Sequence, residues 1–244
     1  MSVVVALVTG GNRGIGQAFV EELREQGAKV YAGSRDPAAV QTPGAIPVEL
    51  DITDPAQVAA AAAHCTDVNL LVNNAGIFLN RRLVQTDDPD TGRAEMEVNY
   101  FGTLNMTRAF APVLGANGGG QIINVLSVAG IVPTAFMGGY SPAKAATLFL
   151  SGITRAELEP QGTKVTALIV GSVETRMSDH VDGRKEDPRD IARTGLKAAA
   201  KGEWTFDTDW MAVDARARLA RDPVRYERSL GRLVHKTTLR TGRD

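Results

Sequence analysis

The chain has 244 residues, of which 43% are hydrophobic and 23% charged, and its net charge is −1. That is ordinary for a globular protein with material for a substantial core, and it offers no basis for nucleic acid or an anionic membrane surface as partner. Cys65 is the only cysteine, which excludes an internal disulfide and fits a cytoplasmic setting.

The opening MSVVVALVTGG lacks the basic region and cleavage site of a leader, and no apolar run is long enough to span a membrane. Val3–Val8 is a continuous apolar run, as a buried parallel strand requires. Helical periodicity follows over Ile15–Gln26, with Ala18, Phe19 and Leu23 on one face and Glu21, Glu22, Arg24 and Glu25 opposite, and Gly27 as the stop. Val30–Ala32 and Pro47–Leu50 read as strands. Asp54-Pro55-Ala56-Gln57 reads as a helix start, with Asp as N-cap, Pro at N1 and Gln at N3. Val68–Val72 is a fourth strand, Arg93–Leu114 a helix and Gln121–Leu126 a fifth strand. A helix from Tyr140 to about Glu159 precedes a sixth strand, Lys164–Val170. Asp187 and Pro188 open a helix to Ala200, Glu203–Phe206 is a short seventh strand, and Asp209–Arg221 and Val224–Val234 close as helices. This alternation, without a boundary over residues 1–244, predicts one α/β domain. Its architecture is a Rossmann-type, doubly wound parallel sheet in three α/β/α layers, with ligands at the carboxyl ends of the strands.

The first strand ends in TGGNRGIG, Thr9–Gly16. Glycines allow a tight turn and a close approach of backbone to phosphate, and the following helix aims free N–H groups at it. A glycine-rich turn alone is weak evidence, but its place between the first strand and an amphipathic helix favours a dinucleotide. The spacing of Gly10, Gly14 and Gly16 resembles the TGxxxGxG loop of the short-chain dehydrogenase/reductase family. The resemblance continues at Asp51-Ile52, at NNAG (Asn73–Gly76), at VNYFG with Asn99, at NVLSVAG with Ser127, and at Tyr140-xxx-Lys144. Ser127 and Tyr140 are 140 − 127 = 13 positions apart, the usual family spacing. The match covers residues 3 to about 176 and indicates the compact single-domain branch.

The resemblance implies that Gly10, Asn12, Arg13, Gly14, Ile15 and Gly16 hold a cofactor diphosphate. It places Asp51 and Ile52 at adenine, Asn74, Ala75 and Gly76 along a ribose, and Val173 and Thr175 at carboxamide and diphosphate. Where NAD-dependent relatives carry an acid, this chain has Ser34 followed by Arg35. Two guanidiniums, Arg13 and Arg35, beside a hydroxyl suit a 2′-phosphate, which favours NADP(H) over NAD(H). Asp36 turned towards the ribose is the alternative, and would suit an NAD-dependent alcohol dehydrogenase.

Tyr140 and Lys144 are one helical turn apart and leave the same face, and Pro142 is tolerated because the first turn has no N–H partners to lose. By resemblance, Tyr140 is the general acid/base and Lys144 also bonds the nicotinamide ribose. Ser127 holds the substrate oxygen, and Asn99 keeps a helix bent and anchors a water. One cation typically lowers a phenol by about 1–3 units, and the helix N-terminus assists.

Phe78, Val128, Phe136 and Met177, with Ser127 and Tyr140, are the substrate-pocket candidates, and their apolar character suggests an apolar ketone or aldehyde. Val170-Gly171 replaces the family's Pro-Gly, so that loop is expected to be less rigid. Met177–Glu186 is charged and short, and reads as a lid or as an ordinary solvated loop. His64, His180 and His235 show no metal-ligand spacing. The basic stretch Arg225–Arg243 reads as a solvated helix face. The ending TTLRTGRD departs from the Gly-Gly tail common in tetrameric relatives, so a homo-oligomer is expected either as a tetramer or as a dimer through the helices of Asn99 and Tyr140. The leading function is a carbonyl reductase or the corresponding alcohol dehydrogenase. A non-catalytic NADP(H) sensor, and an epimerase or dehydratase with retained cofactor, are the competing classes.

Overall fold

In the computed structural model, which describes residues 4–179 and 181–235, the apolar runs assemble into one seven-stranded sheet. The strands are β1 (Val5–Thr9), β2 (Lys29–Ser34), β3 (Ile46–Glu49), β4 (Leu70–Asn73), β5 (Gln121–Val125), β6 (Lys164–Ile169) and β7 (Thr205–Asp207). Their order is β3-β2-β1-β4-β5-β6-β7, and every neighbouring pair is parallel. The chain winds outwards from β1 to β3, then crosses to β4 on the other side of β1. A crevice forms at such a reversal, outside the carboxyl ends of β1 and β4.

Pleating divides each central strand between two cores. Ala6 and Val8 face α1 (Gly14–Glu25) and α6 (Pro188–Ala200), packing with Phe19, Leu23 and Ile191. Leu7 and Leu71 face the opposite layer, packing with Val58 of α2 (Pro55–His64) and Met106, Phe110 and Leu114 of α4 (Thr103–Ala116). This is the doubly wound, three-layer arrangement that the alternation predicts.

Several local expectations change. Glu22, expected on the solvent face of α1, is buried, because α6 packs over it and Arg189 and Arg193 reach its carboxylate at 2.9 and 3.0 Å. Asp54 caps α2, accepting from the N–H of Ala56, but the Gln57 side chain accepts from the Asp51 N–H at 2.7 Å instead of returning to its own cap. The helix over Arg93–Leu114 is three pieces: α3 (Arg93–Met96), a π turn (Glu97–Gly102) and α4. The last helix stops early, as α8 (Pro223–Gly231) gives way to a 3-10 turn at Arg232–His235. Val3, His180 and the tail from Lys236 lie outside the described residues.

The Val170-Gly171 loop is held firmly without its proline. Asp209, buried at the cap of α7 (Trp210–Arg221), accepts from the N–H groups of Gly171, Met211 and Ala212 and from the Thr208 hydroxyl. Among the described residues, no helix is long and apolar enough to cross a membrane.

Candidate active site

The carboxyl end of β1 turns at Gly10 and enters α1 at Gly14, both at positive φ (+65° and +55°). Arg13, the residue before α1, is extended and its side chain caps nothing. The first amides of α1 are therefore directed, with the positive end of the helix dipole, into the crevice. Gly16 is the tightest point of the loop: a Cβ there would run into the Gly10 carbonyl oxygen and the Asn74 side-chain amide. The loop thus presents the bare backbone that a diphosphate needs, and the residues present fit a dinucleotide.

A residue the sequence reading passed over fixes this geometry. The Thr9 hydroxyl accepts from the N–H groups of Asn74 and Ala75 at 2.9 and 3.0 Å and donates to the Val72 carbonyl at 3.3 Å. Asn74 returns a bond from Nδ2 to the Thr9 carbonyl at 3.0 Å. The signal was present: a threonine ending an apolar strand just before the glycines has a hydroxyl to spend. Thr9→Val orphans two amides and is expected to lower stability by about 1–3 kcal/mol, read as a shift of the urea midpoint at unchanged slope.

At the adenosine end, Ser34 is buried and its Oγ accepts from the Asp36 N–H at 3.2 Å, while Arg13 and Arg35 are exposed at the rim. Asp36 caps its own 3-10 turn, accepting from Ala38 N–H at 3.0 Å. Asp51 accepts from the backbone and hydroxyl of Thr53 at 2.9 and 2.7 Å; these bonds, with a smaller contribution from Arg35, hold its carboxyl below the usual range. The Ile52 side chain is core, and only its backbone faces outwards, where its carbonyl accepts from Asn105. Val173 likewise sends its side chain into the core, so its offer to a ligand is main chain. Thr175 borders Gly14 across the crevice.

Tyr140 is the first residue of α5 (Tyr140–Leu158), and Lys144 follows on the same face, its Nζ 5.6 Å from the phenol ring centroid. The Ser127 hydroxyl lies beside the Tyr140 phenol, and Ser127 also caps the 3-10 turn Val128–Gly130 by accepting from Ala129 N–H. Burial pushes the Tyr140 phenol up to about 12, against the Ser127 hydroxyl and with a further rise from Glu95. Burial lowers the Lys144 ammonium to about 8, and Nζ donates to the Val125 carbonyl at 3.0 Å. Desolvation is the largest influence on the phenol, which is a protonated donor at neutral pH.

Asn99 sits in the π turn, as the expected bend requires. Its side chain grips the backbone of Ile77, with Nδ2 donating to the carbonyl at 2.9 Å and Oδ1 accepting from the N–H at 3.1 Å. Its own carbonyl accepts from the Thr103 and Thr147 hydroxyls at 2.9 and 3.0 Å. Gly76, one residue before Ile77, leaves the space between Asn99 and the Lys144 ammonium open.

Of the pocket candidates, Phe78 meets Tyr140 edge to face with ring centroids 5.4 Å apart. Val128 instead packs against Leu126, Ala167, Ile169 and Ala212, so its side chain serves the core as much as a pocket. Phe136 is half-buried in the loop before α5, and Met177 is exposed on the 3-10 turn Arg176–Ser178. The segment 177–186 is pinned at its base, where Val173 and Glu186 pair and Glu186 N–H donates to Ser172. Close to that base, Arg184 pairs with Glu186 at 3.0 Å and lies over the Trp210 ring.

Known proteins share this fold. The short chain dehydrogenase family model matches residues 4–186. The chain is 35% identical over 207 residues to a 3-alpha-(or 20-beta)-hydroxysteroid dehydrogenase of Mycobacterium tuberculosis, covering 81% of this chain and 77% of the relative. It is 35% identical over 199 residues to a sorbitol dehydrogenase of Cereibacter sphaeroides, covering 77% of each. The crystal structure of a short chain dehydrogenase from Burkholderia cenocepacia J2315 in complex with NADP superposes with a TM-score of 0.89 at 42% identity, over 94% of this chain and 98% of that one. The family model spans well over half of the chain, and the chain belongs to the short-chain dehydrogenase/reductase family of oxidoreductases.

Proposed function

We propose that this chain, as a single domain, is an NADP(H)-dependent reductase of apolar ketones or aldehydes, or the corresponding alcohol dehydrogenase. The observation that carries the reading is the half-buried Tyr140 phenol at the start of α5, beside Ser127 and with the buried Lys144 one turn on. A bound nicotinamide supplies or receives the hydride. The protein's part is to hold the substrate oxygen and to move one proton.

Ser127 and Tyr140 offer two hydroxyls to a single carbonyl oxygen, and Tyr140 Oη gives its proton as negative charge grows there. A phenol is protonated throughout the neutral range, so it can serve carbonyl reduction as the acid. Lys144 holds its place through Val125 and keeps two further N–H donors for a ribose. Asn99 fixes the Ile77 backbone, and with it the segment carrying Phe78. Phe78, Phe136 and Met177 supply apolar walls, and segment 177–186 acts as a lid on its pinned base.

Arg13, Arg35 and Ser34 support NADP(H), and Asp36, occupied in its own turn, withdraws the acid that NAD would use. The relation to an NADP-bound structure points the same way. Phe149 and Ile153, exposed one turn apart on α5, support a homodimer through that helix, which the sedimentation mass checks. The single, buried Cys65 fits a cytoplasmic site of action. The experiment that tests the whole reading follows NADPH and NADH oxidation against a panel of ketones and aldehydes. Turnover with NADPH is expected; a preference for NADH overturns the cofactor assignment. NADPH binding without turnover of any carbonyl moves the protein to the sensor class.

A further inference from the structure

Glu95 is a buried carboxylate that this chemistry does not use. It lies on α3, one turn before Asn99, and is 1% exposed. Oε1 accepts from the N–H of Leu79 at 2.9 Å, one residue after Phe78. Oε2 is buried without a well-formed hydrogen bond and faces the Gly139 amide, immediately before Tyr140. Any side chain at position 139 would collide with that oxygen and with the Gly92 backbone, so glycine is what lets the carboxylate reach the start of α5. One side chain therefore touches both the segment that carries Phe78 and the segment that carries Tyr140.

A carboxylate is a costly way to join two segments. Taking its charge out of water is unfavourable unless it is compensated, and a glutamine of the same shape would accept the same Leu79 bond. What distinguishes Glu95 is its charge. The groups around it are Arg81, from the segment after Leu79, itself paired with Asp88 at 3.0 Å, and the Leu79 and Gly139 amides. Tyr140 is faced by Glu95 from α3, Lys144 from its own helix, Ser127 from the end of β5, and the neutral Phe78 ring.

We propose that Glu95 is a positioning residue that fastens the Phe78 segment to the start of α5 and places one negative charge against Gly139, next to Tyr140, where it opposes loss of the phenol proton. The inference rests on Tyr140 being the acid/base. Burial raises the Glu95 carboxyl, opposed by Leu79 N–H, Arg81 and Gly139, and Glu95 in turn is among the groups that raise Tyr140. At the alkaline pH where a phenol titrates, Glu95 is ionised, so its charge opposes phenolate formation. Removing that charge moves the Tyr140 inflection to lower pH; removing Arg81, which partly neutralises it, moves the inflection to higher pH.

The test reads tyrosinate absorbance immediately after a pH jump, before the chain unfolds, with the Tyr140 signal assigned by its loss in Tyr140→Phe. Glu95→Gln is expected to shift that inflection by roughly 0.5–1 pH unit towards acid, and the kcat/KM profile for alcohol oxidation should move in the same direction. Arg81→Gln is expected to shift it the other way, and it carries the test if Glu95→Gln does not fold. A folded Glu95→Gln, or Arg81→Gln in its place, with an unmoved inflection overturns the proposal, because joining the two segments alone would leave the titration where it was. A shift in a protein that reduces no carbonyl would sustain the charge coupling and count against the reductase reading; turnover without a shift would do the reverse.

Discussion

Tyr140→Phe is expected to lower kcat for carbonyl reduction by about 10²–10⁴-fold, the usual contribution of a positioned general acid, while NADPH binds as tightly as before. The substitution removes one oxygen and keeps the ring. Its edge-to-face contact with Phe78 survives, as does the start of α5, which depends on backbone at Gly139. Lys144 keeps its bond to Val125. What disappears is the phenol of the Ser127–Lys144 cluster, leaving the substrate oxygen with one hydroxyl donor instead of two. The comparison of kcat with NADPH affinity, measured by fluorescence titration of the same preparations, separates the outcomes. Equal loss of both would mean that the hydroxyl supports the fold of the site. Loss of neither would mean that the proton comes from elsewhere, and would remove the central element of the proposed mechanism.

The parts of this site that were legible in the sequence are those set by local geometry. Tyr140 and Lys144 share a face because four residues make about one helical turn, whatever surrounds them. The Gly10–Gly16 loop announces itself because only glycine tolerates the backbone it needs. The element order follows from where apolar runs end and helical periodicity begins. Even the bend at Asn99 was within reach, although its form, a π turn, was not, since both sides of it read as helix.

The parts that were not legible depend on contacts across the chain. Glu95 looks like any charged residue on a short helix; it is buried where Leu79 and the Gly138–Gly139 turn close around it. Glu22 has the same history, drawn inside by two arginines of α6 more than 160 positions away. The missing proline at position 170 suggested a loose loop, and Asp209, 38 positions on, fixes it through the Gly171 amide. Spacing likewise reveals that a lysine is near Tyr140, but not how far burial acts on either group: it raises the phenol and lowers the ammonium. Sequence pattern thus locates the reacting groups, whereas the field that tunes them is a property of the packed interior.

Replacing Arg13 and Arg35 together by alanine is expected to weaken NADPH on the order of 100-fold, as loss of charge-assisted contacts to a phosphate does, with little change for NADH. Both side chains are exposed at the rim and neither supports another element, so the fold should be indifferent and the unfolding midpoint unchanged. The contrast between the two cofactors carries the argument. A 2′-phosphate adds nearly two negative charges at one point, and only NADPH offers them. If the arginines merely attract anions, both cofactors weaken together and added salt erases the difference between variant and parent. If they form the phosphate site, the NADPH-specific loss persists at high salt in part, because paired guanidinium contacts are geometric as well as electrostatic. Arg35→Asp sharpens the test. It places a carboxylate beside the buried Ser34, where a ribose hydroxyl pair would find an acceptor, and it repels a phosphate. That variant is expected to prefer NADH, provided that Asp36 stays in its own turn; retained preference for NADPH would mean that the 2′-phosphate is held by other groups and that the β2 end does not set cofactor choice.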